Sequence, residues 1–210
     1  MRGVPADPPT WLHSPEADQH LRSMHFPERS TKGRTTGARI GAEASMTFTE
    51  YLTYKAPPGF KDELIHGEIH LSPSAKAEHQ EICKRLERLL DAVISSGFIA
   101  QRDTTIYVAG AEGPRPDVFV IRKDRWDQAR GSVLGYPEGV PELVVEVRSA
   151  SNSDSELEQK RSIYFSDARC LAYWVVNPEA KAVSVFAASV SPQLFLGQSV
   201  DLPVEIGGSI

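Results

Sequence analysis

A chain of 210 residues and 23.1 kDa, 40% of them hydrophobic, can bury one full core and reads as a single domain with an appendage. Its formal net charge of -5 and pI near 5.7 exclude nucleic-acid binding through bulk positive charge, although basic side chains can still gather around one cleft. Cys83 and Cys170 are far apart, without Cys or His companions at zinc-ligand spacing, so neither a disulfide framework nor a structural zinc is expected, and a reducing cytoplasm fits.

No apolar run approaches the roughly 18 residues that a membrane span needs, and the N-terminus lacks the apolar core of a secretory signal. Residues 1–45 are rich in Pro, Gly, Ser, Thr, Arg and His without helix or strand periodicity, which predicts a disordered extension ahead of a domain over 46–210. Thr47 or Thr49 can cap a short helix through Tyr54, which Pro57-Pro58-Gly59 ends. Glu63–Ile65 and Glu68–Leu71 flank His66-Gly67 as a β-hairpin with glycine supplying positive φ.

The most regular helix is predicted over Lys76–Ser95, where Ile82, Leu86, Leu89, Leu90, Val93 and Ile94 recur at three- and four-residue steps as one apolar stripe. Thr104–Val108 reads as a strand, and a glycine-bearing turn then delivers the chain to Asp117. Arg122–Trp126 reads as a solvated loop with Trp126 packed down, and 131–141 as a mobile loop. A helix over Ser155–Ser166 places Glu156 and Lys160 one turn apart. Cys170–Val176 and Ala182–Phe186 form a buried hairpin, and edge strands are expected in 194–196 and 200–206.

Two short β-rich runs, Gly113–Ile121 and Pro141–Arg148, each carry an acid where a buried strand should be apolar. Asp117 shares a face with Phe119 and Ile121, and Glu146 with Val144 and Arg148, by the two-residue strand period. A buried carboxylate costs several kcal/mol unless a cation meets it, so the pair suggests a divalent metal between them. Solvated edge carboxylates, or ion pairs to Arg115, Arg148 or Lys160, are the structural alternatives.

Pro116-Asp117 followed by Glu146-Val147-Arg148 resembles the PD-(D/E)xK pattern of restriction-endonuclease-like nucleases. With Glu63–Ile69, Arg115–Val118, Leu143–Val147, Ser149-Ala150-Ser151, Lys160 with Tyr164, and Ala172–Pro178, the order and spacing resemble the Uma-two family of bacterial endonucleases over about Met46–Phe186. The resemblance implies an α/β fold with a mixed central sheet flanked by helices. It also suggests Met46 as the translated start.

For the site it implies Mg²⁺ or Mn²⁺ held by Asp117, Glu146 and Glu63, with Lys160 as the pattern's lysine displaced onto the following helix. His79 matches a histidine common in the family, and with Arg115 and Arg148 it is a candidate for supporting a ligand or touching phosphate. Arg148 stands where the family usually has an apolar residue. It could clamp phosphate or neutralise Glu146, but an arginine stays protonated and cannot act as a base. The function expected is metal-dependent hydrolysis of phosphodiesters, in DNA. The alternative is a nuclease-like module that binds nucleic acid or regulates a partner without turnover, and a homodimer is compatible with either.

Overall fold

The structure is a computed structural model that describes residues 45–210 apart from 111, 150, 151, 188, 189 and 198. The extension expected before Ser45 lies outside these residues. The order is α1 (Phe48–Tyr51), β1 (Phe60–Ile65), β2 (Glu68–Pro73), α2 (Ala77–Val93), β3 (Phe98–Arg102), β4 (Val118–Arg122), α3 (Lys123–Gly131), β5 (Leu143–Val147), α4 (Asp154–Tyr164), β6 (Ala172–Asn177), β7 (Ala182–Ala187) and β8 (Val190–Leu196). Strands β3 to β8 lie side by side in chain order as a six-stranded sheet. Only the β5–β6 pair is parallel, joined by the α4 crossover that parallel neighbours require.

The sheet has a helix on each face because its central strands alternate between two cores. Val118, Val120, Leu143, Val145, Ala172 and Trp174 pack with Cys83 and Leu90 of α2. Val144, Tyr173 and Val175 pack with Leu157, Ile163 and Tyr164 of α4. All five residues of β5 are buried, so Glu146 lies in the middle of the α4-side core rather than at a wet strand end. Ser153 and Glu156 close a capping box that starts α4, which commits the Glu156 side chain to the backbone of the cap.

The β1–β2 hairpin is a separate two-stranded unit whose turn places both His66 and Gly67 at positive φ. It is fastened to the loop before β4 by a backbone pair between Leu64 and Gly113 (2.7 and 3.2 Å). Gly113 suits that close approach, since a Cβ there would come to 3.0 Å from the Phe48 ring. Thr47 caps α1 in a second capping box, and Phe48, Tyr51 and Leu64 form a small core of their own.

Several elements differ from their sequence reading. The edge strand of the sheet is Phe98–Arg102, while 104–108 makes only isolated bridges. The amide of Ile106 bonds to the carbonyl of Pro114, which has no N–H to return, while Tyr107 donates to Pro137 and accepts from Gly139 in a single parallel bridge. Lys123–Gly131 is a helix rather than a loop, with Trp126 packed on Phe119 at 6.2 Å between ring centroids. In α2 the buried stripe runs through Cys83 and Leu90, and Leu89 is 47% exposed. Val190–Leu196 is an edge strand, but Val200, Leu202 and Ile206 fill the α2-side core from irregular chain.

Leu90→Ala should cost about 2–5 kcal/mol by urea denaturation because it opens a cavity in that core. Leu89→Ala should stay within about 0.5 kcal/mol of wild type.

Candidate active site

The site gathers where β4 and β5 separate. The ladder ends at Val118–Val145, and one step further Asp117 falls opposite Glu146. Asp117 does not continue the backbone pairing: its Oδ2 accepts the N–H of Val147 at 2.9 Å, so a side chain stands where a strand carbonyl would be. His79, in the first turn of α2, presents Nε2 at 3.3 Å from the same oxygen and 3.1 Å from the Val147 carbonyl. Lys61 Nζ approaches Asp117 Oδ1 at 3.5 Å from the hairpin.

Lys160 joins the remaining acids. Its Nζ lies 2.9 Å from Glu63 Oε1 and 3.1 Å from Glu146 Oε1, and all three side chains are nearly buried. Tyr164, one turn further along α4, donates its hydroxyl to Glu146 Oε1 at 2.9 Å. Glu63 is held in turn by the Arg115 backbone N–H at 2.6 Å, a contact delivered by the Leu64–Gly113 pairing. The hairpin, the loop before β4, β5 and α4 therefore each supply part of one cluster.

The charges are strongly coupled. Burial pushes the Glu146 carboxyl up to about 7, against the opposing pull of Lys160 and with further help from Asp117 and Glu63. Burial also disfavours the charged form of Asp117, but the His79 hydrogen bond and the charges of Lys61 and Lys160 outweigh it and hold its carboxyl well below the usual range. The bond to Asp117, with a smaller one to Cys83, lifts His79 to about 10. Burial works against the Lys160 ammonium, yet Glu146, Glu63 and Asp117 together keep it charged. The two carboxyls thus diverge, Asp117 held low and Glu146 raised, a pattern found both at functional sites and in structural ion-pair networks.

Of the residues singled out in the sequence, Glu63, Asp117, Glu146, Lys160 and His79 come together. Arg148 does not: its guanidinium pairs with Asp154 at 2.6 Å, so Glu146 is met by Lys160 and not by Arg148. Arg115 contributes its backbone N–H, while its guanidinium pairs with Asp103 at 2.9 Å. The sequence reading missed Lys61 and, though it paired Tyr164 with Lys160 in the resemblance, gave Tyr164 no role at the site. Lys61 was legible as the residue two before Glu63 on the same strand face, and Tyr164 as the residue four after Lys160 on the same helix face. Beside Asp117 opens a cavity of about 250 Å³ whose lining includes Lys61, Gln80, Cys83, Arg102, Arg115 and Asp117. Of the three acids only Asp117 lines this cavity, while Glu63 and Glu146 face the Lys160 ammonium; carboxylate oxygens are the donor type that Mg²⁺ or Mn²⁺ takes.

A mixed sheet carrying acids at its splayed strands, with a helix on each face, is the fold of the restriction-endonuclease-like nucleases. The chain matches the Uma2 family model, described as "Putative restriction endonuclease", over residues 48–207, and it belongs to that family. Among solved structures it is similar to a "putative nuclease belonging to DUF820" from Anabaena variabilis ATCC 29413. That likeness has a TM-score of 0.67 at 17% identity and covers 77% of this chain and 91% of the other, so it speaks to the fold alone. No curated protein matches the chain. No helix among the described residues is long and apolar enough to cross a membrane.

The raised Glu146 carboxyl gives a pH test in the presence of a chelator. The folded chain holds that proton more tightly than an ordinary glutamate with a value of 4.5, so Glu146 opposes folding progressively as pH rises from 4.5 to about 7. The Tm of Glu146→Gln minus that of wild type should therefore move in favour of the variant across this interval. A difference independent of pH would show that Glu146 titrates normally.

Proposed function

We propose that the chain is a metal-dependent endonuclease that hydrolyses phosphodiester bonds in DNA. The observation that carries this reading is the Lys160 ammonium held between Glu63 and Glu146, with Asp117 opposite Glu146 at the end of the β4–β5 ladder. Asp117, Glu146 and Glu63 would hold Mg²⁺ or Mn²⁺, which when bound polarises a phosphoryl oxygen and lowers the pKa of a water. Cytoplasmic localisation is part of the same proposal.

The protein's own groups supply the rest. Lys160 remains an ammonium among acids and so acts as a donor that orients the attacking water and offsets charge developing on the phosphate, not as a base. Tyr164 fixes the orientation of Glu146 through its hydroxyl. The Val147 amide and His79 fix that of Asp117. Lys61, Arg102 and Arg115 line the adjoining cavity and present cations to a phosphate backbone. Each is also engaged with an acid, Lys61 and Arg115 with Asp103 and Arg102 with Glu87, so the local surface is balanced rather than strongly basic. Such balance agrees with an acidic chain that binds its substrate through one cleft.

The test is cleavage of plasmid and single-stranded DNA with Mn²⁺ and with chelator. Lys160→Ala should lower the rate at least about 100-fold, the loss typical of removing a transition-state donor, while Mn²⁺ still binds by calorimetry. Asp117→Ala should lose both binding and cleavage. DNA binding without cleavage by the wild-type chain in Mn²⁺ would instead favour a non-catalytic module.

A further inference from the structure

Asp117 also borders a second group of donors, of different chemistry. His79 and Cys83 stand one turn apart on the sheet-facing side of α2, with His79 Nδ1 3.5 Å from Cys83 Sγ and Nε2 3.3 Å from Asp117 Oδ2. One donor atom from each of the three residues can be chosen so that all lie within 4.8 Å of one another. A tetrahedral zinc with bonds of about 2.0–2.1 Å to nitrogen, 2.0–2.2 Å to oxygen and 2.3 Å to sulfur sets its ligand atoms roughly 3.3–3.6 Å apart. The Nε2–Oδ2 edge already has that length, whereas the Cys83 sulfur lies against the other ring nitrogen, Nδ1, and has to move to complete the set.

The surroundings leave room for an ion beside these donors, although Lys61, Arg102 and Arg115 line the same cavity. Cys83 and Asp117 both line the 250 Å³ cavity, which provides an entry path and room for a water as fourth ligand. The Val147 amide fixes Asp117 Oδ2 from behind, so one ligand is oriented in advance. Cys83 itself is 3% exposed, within reach of the cavity but sheltered from bulk solvent. The sequence reading of no zinc-ligand spacing passed over His79, four residues before Cys83, a usable pair once Asp117 arrives from the sheet.

We propose that His79, Cys83 and Asp117 form a site for a borderline-soft divalent ion, Zn²⁺ or Co²⁺, separate from the hard-ion position between Asp117 and Glu146 and sharing Asp117 with it. Imidazole and thiolate select such ions over Mg²⁺. Binding forms bonds to nitrogen, sulfur and oxygen and releases the thiol and imidazolium protons to solvent. The site does not depend on nuclease activity. If both positions operate, Zn²⁺ competes for the carboxylate that the catalytic ion needs and inhibits cleavage.

Titrating the full chain with Co²⁺ tests this directly, because a thiolate–cobalt bond gives a charge-transfer band in the near ultraviolet. The band should appear at one equivalent and persist in excess Mg²⁺. It should vanish in Cys83→Ser, while Zn²⁺ affinity measured by competition falls by more than the about 10–100-fold that losing a mere support for a ligand costs. Cys170→Ala, which alters the other free cysteine, and Glu146→Gln, which alters the hard-ion position, should both retain the band. A band that survives in Cys83→Ser, or none from wild-type protein with a native circular dichroism spectrum in saturating Co²⁺, overturns the proposal. An intact band without Mn²⁺-supported cleavage would overturn only the nuclease reading.

Discussion

The Lys160 ammonium between two acids is the contact on which the rest of the arrangement turns. Glu63 comes from the hairpin, Glu146 from the middle of the sheet and Lys160 from the crossover helix, so one cation joins three elements that are distant in sequence. Buried charges are tolerated only when they are paired and hydrogen-bonded, and the Tyr164 hydroxyl and the Arg115 amide supply the additional bonds. Such a cluster contributes little net stability compared with an apolar core of the same shape. Under the proposed nuclease reading, its place in a largely apolar sheet is accounted for by chemistry rather than by folding.

The sheet is built to hold that cluster open. Strands β4 and β5 are wholly apolar where they pair, and the pairing stops where Asp117 arrives. Asp117 then bonds the Val147 amide with its side chain, which satisfies the backbone while keeping the strands apart. His79 reaches the same point from the opposite helix. The two sheet faces, each with its own helix, are thus connected at one polar spot between their cores.

Much of this was legible in the sequence, and the failures have identifiable causes. The hairpin, the long helix, β5, α4 and the β6–β7 pair all announce themselves through alternation, helical period or turn residues. Strand β3 was overlooked because Phe98–Arg102 lacks strong alternation, whereas Thr104–Val108 has β-branched residues but makes only isolated bridges, with Pro114 unable to return the bond from Ile106. Leu89 fits the helical stripe by spacing, but the stripe actually buried is centred on Cys83 and Leu90. For the site, the two strand acids stand out as charges in apolar runs. Partners are harder to read: Arg148 is two residues from Glu146 in sequence yet turns to Asp154, while Lys61 is 56 residues from the Asp117 it meets.

The hairpin's attachment has a consequence for how the site can vary. Glu63 and Lys61 ride on a two-stranded unit outside the main sheet, anchored through Leu64–Gly113, Glu63–Arg115 and His66–Glu112 contacts to the short segment 112–115. Insertions or deletions in that segment would shift an acid and a cation relative to Asp117 and Glu146 without disturbing either core. Loop length alone would thereby move Glu63 and Lys61 while Asp117, Glu146 and Lys160 stay with the strands and helix that carry them.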